Sequence, residues 1–124
     1  FDKNKNNLYV KSDFFEVSLP TVKIGRLNIP ISGGGYFRLI PWFILKRLIS
    51  KHLKKNDYFM FYIHPYEFSN NKVQCSELNW INKKRANIGR KKSRKKFIKM
   101  INYFRKHDFR FLTIKEYLDL KGRF

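Results

Sequence analysis

Acidic residues are scarce in this chain: nine Asp and Glu stand against 28 Lys and Arg, for a formal net charge of +19 over 124 residues. Cysteine is nearly absent, and the lone Cys75 excludes an internal disulfide and a thiolate zinc site. Alanine occurs once, as Ala86, and histidine three times, as His52, His64 and His107, with no His-x-x-x-His pair. No apolar run is long enough to span a bilayer; the longest are strand-sized or broken by Lys46 and Arg47. What is plentiful is core material, with 43% hydrophobic and 18% aromatic residues, which excludes a disordered chain. The length suits one domain or part of one. No secretory signal is visible, although a chain that opens on Phe1 rather than Met leaves an upstream targeting segment open.

The charge has two readings. One is a footprint for nucleic acid, anionic polysaccharide or a membrane surface. The other is drift toward A/T-rich codons, which raises Lys, Asn, Ile, Phe and Tyr together. Lysines lie at both ends and in the middle of the sequence, which favours drift.

The chain is organised around residues 58–68, YFMFYIHPYEF. Its first six residues are aromatic, β-branched or long and apolar, the pattern of a strand buried on both faces. Pro65 cannot donate to a sheet ladder, so the strand ends at His64-Pro65. An imidazole is thereby placed at the carboxyl end of a buried strand, where α/β folds hold their chemistry. His64 is either a rim histidine that bonds a neighbour or a catalytic group. Tyr66, Glu67 and Phe68 add a hydroxyl, a carboxylate and an apolar wall.

Taken in order, residues 1–13 read as a polar loop. A strand follows over 14–19, and 21–24 and 27–29 form two short strands that could pair as a hairpin about Gly25-Arg26. Gly33-Gly34-Gly35 remove every Cβ and let backbone amides approach a ligand, although the run fits no phosphate-cradling pattern and a plain tight turn is the simpler reading. Tyr36-Phe37-Arg38 directly behind it offer an aromatic platform and a guanidinium, a pairing suited to sugar rings and carboxylates.

Pro41 opens a helix to about Lys55, with Phe43, Ile44, Leu45, Leu48, Ile49 and Leu53 inward and His52 on the polar, solvated side. Residues 69–72 are a loop and 78–82 only weakly helical. The densest basic cluster lies within 83–96 and reads as the solvated face of a helix from Ser93, with Phe97, Ile98, Met100, Ile101 and Phe104 inward. Residues 108–112 read as a final strand, and Thr113-Ile114-Lys115-Glu116 as a capping box opening a last helix through Leu120. This order looks like the last β/α units of a barrel or a layered α/β domain.

Three motifs then coincide: Leu19-Pro20-Thr21-Val22, the loop Pro30-Ile31-Ser32-Gly33-Gly34-Gly35-Tyr36-Phe37-Arg38-Leu39-Ile40-Pro41, and Phe61-Tyr62-Ile63-His64-Pro65-Tyr66-Glu67. Together they resemble the C-terminal half of NodB-like polysaccharide deacetylases, of the exopolysaccharide-cluster subgroup with His-Pro-Trp-Glu, Tyr66 replacing the Trp. The tail Phe109-Arg110-Phe111-Leu112-Thr113-Ile114 is similar to that subgroup's closing segment. The resemblance covers most of residues 16–120, with residues 82–96 matching less well.

The resemblance implies an α/β fold, the C-terminal portion of a distorted (β/α) barrel of the glycoside hydrolase/deacetylase type, with residues 1–124 a single partial domain. It implies hydrolysis of the N-acetyl amide of an amino-sugar polymer or lipid-linked oligosaccharide. His64 would be the general acid, protonating the leaving amine. Gly34, Gly35, Tyr36, Arg38, Tyr66 and Glu67 would line the sugar site, with Glu67 alternatively orienting His64 or Arg38. The family's divalent metal, usually zinc, is held by an Asp and a His-x-x-x-His pair that this chain lacks. The chain therefore reads as a fragment or a degenerate copy, inactive alone; its location stays open, with the cytoplasm or the cytoplasmic face of a membrane favoured. Two other readings stay open: a basic nucleic-acid-binding module using residues 83–96, although no specific nucleic acid is expected, and a non-catalytic carbohydrate-binding remnant.

Overall fold

The computed structural model describes residues 2–3, 8–11, 14–69, 71 and 76–121. Cys75 and part of the loop expected over 69–72 lie outside them. The fold is mixed α/β and divides into two compact units, Phe1–Arg94 and Lys95–Phe124.

In the first unit, β1 (Asp2–Lys3), β2 (Leu8–Lys11) and β3 (Phe14–Val17) form an antiparallel meander, so part of the stretch expected as a loop is sheet. The expected hairpin is present: β4 (Thr21–Ile24) pairs antiparallel with β5 (Leu27–Pro30), and Gly25 at φ 58° supplies the turn. Pro20 and Pro30 stop the strands where they can give no further ladder N–H. Ile31 N–H instead donates to Pro20 O at 3.1 Å, closing the base of the hairpin.

Two helices follow, α1 (Gly34–Leu39) and α2 (Trp42–Leu53), with Pro41 as the N-cap of α2. After α2 the chain runs extended through residues 58–63 and returns beside its own start. Gly33 and Tyr62 form a parallel bridge, with Tyr62 N–H donating to Ser32 O at 2.9 Å. Parallel neighbours need such a helical crossover between them. The expected strand buried on both faces is not formed, however. Among the described residues, 58–63 share this one bridge, none of their side chains is fully buried, and Tyr62 is exposed. An apolar run shows readiness to pair but does not supply partners.

The core of this unit consists of Val22, Ile31, Phe37, Leu45, Leu48 and Ile49. On α2 the buried stripe is Leu45, Leu48, Ile49 and His52, so Phe43 and Ile44 are exposed and the expected solvated His52 is in fact 5% exposed. The spacing explains it: positions 45, 48, 49 and 52 are i, i+3, i+4 and i+7 of one helical face. His52 Nε2 lies 3.2 Å from Tyr58 O, and Nδ1 lies 3.3 Å from both Thr21 O and Asn56 Nδ2. The ring thus joins α2 to β4 and to the extended segment.

Two further helices follow: α3 (Trp80–Asn87) forms where the sequence suggests only weak helicity over 78–82, and α4 (Arg90–Lys106) begins three residues before the expected Ser93. Asn79 caps α3, its Oδ1 accepting from Asn82 N at 2.9 Å. Glycine 89, at φ 75°, makes the corner between the two helices.

In the second unit, Met100 and Phe104 of α4 are buried as expected, Phe97 and Ile101 are half-buried, and Ile98 is exposed. Asp108 ends the helix at φ 56°, the left-handed position of a C-terminal cap, and Phe109 N–H returns to Phe104 O at 3.1 Å. Residues 108–112 are exposed and do not form the expected strand: Asp108 lies in the turn that ends α4, and 109–112 take no regular structure. The expected capping box of α5 (Ile114–Leu120) is present: Glu116 N–H donates to Thr113 Oγ1 at 3.2 Å, and Thr113 N–H returns to the Glu116 carboxylate at 2.6 Å.

His52→Ala should lower the unfolding free energy in urea by roughly 2–3 kcal/mol, because it empties a buried position of the α2 stripe and removes the ring N–H from a facing carbonyl; a loss under about 0.5 kcal/mol would show that the ring holds nothing. Glu116 is held below its ordinary value by the Thr113 backbone N–H first and its hydroxyl second. A depressed folded-state value stabilises α5 above the unfolded carboxyl's midpoint, and that contribution is lost as pH falls through the folded one. An NMR titration of Thr113→Ala should move the Glu116 midpoint part of the way up, since the N–H remains; an unmoved midpoint would remove the hydroxyl's role.

Candidate functional site

The site grows from the one place where two backbones touch. A Cβ built on Gly33 would stand 2.1 Å from Tyr62 O, and φ at this residue is 148°. Only glycine fits. The sequence leaves the glycine run two uses, close approach of amides to a ligand or, more simply, a tight turn; what Gly33 approaches is the Tyr62 backbone. Gly34 also belongs to that contact, its ideal Cβ 3.1 Å from Tyr62 Oη, whereas Gly35 has room for a side chain.

Because residues 34–39 wind into α1, consecutive side chains turn away from one another and cannot form one platform. Phe37 is buried edge-on to Phe61, ring centroids 4.9 Å apart, while Tyr36 is half exposed to solvent. Arg38 turns inward. Its Nη1 donates to Ala86 O at 2.7 Å and to Ile88 O at 3.4 Å, at the α3–α4 corner. The corner sits close enough that a Cβ on Gly89 would meet Arg38 O at 2.7 Å.

Arg38 Nε faces Glu67 Oε1 at 3.1 Å, with the two side chains 7% and 1% exposed. The contact is a charge pairing, not an aligned hydrogen bond. The second Glu67 oxygen, Oε2, accepts from the His64 backbone N–H at 3.1 Å, and Glu67 N–H donates to His64 O at 2.9 Å. Residues Pro65–Phe68 make one turn of 3₁₀ helix, which brings Glu67 back under His64. Of the alternatives open for Glu67 in the sequence, the geometry has it hold both His64 and Arg38.

His64 itself is exposed. Its ring stacks on Tyr66, centroids 5.5 Å apart and planes 13° from parallel, and meets Tyr62 edge-on at 5.9 Å. Arg90, buried at the start of α4, donates through Nε to Tyr66 O at 3.0 Å and through Nη1 to Asn87 Oδ1 at 3.1 Å. Its guanidinium also lies 5.8 Å from the Tyr66 ring centroid. The expected residues His64, Tyr66, Glu67 and Arg38 are therefore in direct contact, but Arg38 and Glu67 are buried beneath the surface that His64, Tyr62 and Tyr66 present.

Sequence reading missed Tyr62, Gly89 and Arg90. The signal for Arg90 was available: in a chain where drift supplies Lys, an Arg beside a glycine corner points to a site that needs a planar fork. Among the described residues no three His, Cys, Asp or Glu side chains converge to hold a metal ion, so the residues present do not fit the metal that the resemblance implies.

A family model described as a domain of unknown function, DUF3473, matches residues 2–119. The chain belongs to the DUF3473 family. No curated protein and no solved structure matches it. The match runs through both units, so the DUF3473 domain includes the His64 turn and α5 alike.

Glu67→Gln and Arg38→Met should each destabilise this domain by about 3–5 kcal/mol, since each strands a buried charge. Removing both should cost clearly less than the sum. Urea unfolding of the two single variants and the double variant checks this, and additive costs would show that the pair is not coupled.

Proposed function

We propose that this DUF3473 domain is the acid-supplying C-terminal part of a metal-dependent polysaccharide deacetylase, with His64 the general acid. The observation that carries the reading is an exposed imidazole on a turn held rigidly from below. A general acid must reach the leaving group and hold a fixed direction. The Glu67 carboxylate fixes the His64 backbone, and stacking on Tyr66 limits the ring. Once water has added to the acetyl carbon, His64 delivers its proton to the sugar nitrogen as the carbon–nitrogen bond breaks, releasing acetate and the free amine.

The exposed Tyr62 ring provides a flat face against which a pyranose ring stacks, Tyr66 lines the site beside it while stacked on His64, and Tyr36 is a further candidate from α1. Arg38 and Glu67 act as positioning residues and do not touch sugar. Gly34 serves the site through Tyr62, and Gly35 is the one glycine of the run with space beside it. The parallel Gly33–Tyr62 pairing across α1 and α2 supports reading this unit as one β/α repeat of a distorted barrel. A divalent metal and the base that works with it belong, in this reading, to side chains other than those described here. The substrate class is an N-acetylated amino-sugar polymer or lipid-linked oligosaccharide.

The test is acetate release from N-acetylated oligosaccharides by the complete protein that carries this domain. His64→Ala should lower kcat by about two to four orders of magnitude while leaving KM little changed. Full turnover in the variant would overturn the role of His64. A wild-type protein that binds the oligosaccharide without releasing acetate would make the domain a carbohydrate-binding one instead.

A further inference from the structure

The excess charge is not evenly spread. Residues 78–107 hold twelve Lys and Arg and no Asp or Glu, so thirty residues carry +12 of the chain's +19. Codon drift raises lysine everywhere but gives no reason for acids to vanish from one stretch.

In the first unit this stretch folds as α3, the corner at Gly89 and the start of α4. Lys83, Lys84, Lys91 and Lys92 are all exposed there. Among them stand three exposed apolar side chains: Trp80 at 72%, Ile81 and Ile88. Positions 80, 83 and 84 share one face of α3, Ile81 stands on the adjoining face beside Lys84, and Ile88 is the C-cap that follows the helix, so exposed apolar and cationic groups lie together around the corner. A tryptophan left this open beside lysines is the pattern of a membrane-interface anchor, where the indole sits at headgroup level and ammonium groups meet anionic lipid.

From this we infer that the α3–α4 corner is a docking surface for an anionic lipid bilayer. The aliphatic residues decide between polyanions. Ile81 and Ile88 have no flat face on which a base or sugar ring can stack, and they gain only by leaving water for hydrocarbon. No helix of the described residues is long and apolar enough to cross a membrane, so the contact is a surface one. The inference does not depend on the deacetylase reading, because its readout is binding.

The test is sedimentation of the protein with vesicles of phosphatidylcholine alone and of phosphatidylcholine mixed with phosphatidylglycerol. Mixed vesicles should bind more tightly by about two to three orders of magnitude, since each lysine near an anionic surface adds about 1 kcal/mol, and salt should weaken that binding. Lys83→Glu with Lys84→Glu should lower it by at least about tenfold and flatten the salt dependence, with the far-ultraviolet circular dichroism unchanged. In a Trp42→Phe background, the remaining Trp80 emission should shift blue with mixed vesicles and not with heparin. Equal binding to both vesicle types, or unchanged binding by the lysine variant, would overturn the proposal. So would binding to heparin or duplex DNA with no binding to vesicles, which would make the surface a site for soluble polyanions.

Discussion

A buried carboxylate facing a buried guanidinium is the constraint on which the first unit depends. Taking Glu67 and Arg38 out of water costs several kcal/mol per ion, and mutual attraction returns this only where the remaining valences are also filled. Here Glu67 uses its second oxygen on the His64 N–H, and Arg38 uses Nη1 on Ala86 O. One ion pair therefore ties three separate stretches: α1, the His64 turn and the α3–α4 corner. Apolar residues of the same size would pack as well, and often more stably. They could not fix the direction of a backbone N–H. The pair supplies position, and His64 is the residue positioned.

The close backbone approaches serve the same end. Gly33 against Tyr62 sets where the extended segment lies, and Gly89 against Arg38 O sets how near the corner comes. A methyl group at either point would collide with backbone atoms, so that one element would have to move. Two glycines 56 residues apart thus limit the same small volume.

The parts of this fold legible in the sequence are those decided by neighbours in the chain. Two prolines and a glycine mark the β4–β5 hairpin, helical spacing marks α2, and Thr113 with Glu116 marks the start of α5. The end of the extended segment at His64-Pro65 was legible for the same reason. What the sequence could not show was pairing across distance. Arg38 and Glu67 are 29 residues apart, and each alone reads as a group facing substrate. Residues 58–63 and 108–112 have strand-like composition, yet composition does not say whether a neighbouring strand exists. His52 is the instructive error. It was placed by polarity, although its register with Leu45 and Leu48 put it in the buried stripe, and its ring nitrogens find carbonyl partners there.

The same contacts join the two surfaces to which functions are proposed. The corner between α3 and α4 is bonded to the site twice over, through Arg38 to Ala86 O and Ile88 O, and through Arg90 to Tyr66 O. Both links are charge-assisted and part-buried, and they tie the position of the corner to that of the turn. A protein held to a bilayer by Trp80 and its neighbouring lysines would hold the His64 turn in a fixed attitude to that bilayer as well. A soluble polymer gains nothing from such an arrangement, because it tumbles freely into any orientation of the site. A lipid-linked oligosaccharide does gain, since its sugar is already confined to the headgroup layer and a fixed site meets it at high effective concentration. In the proposed deacetylase reading, a site held in this attitude would suit the substrate class that is carried on a lipid.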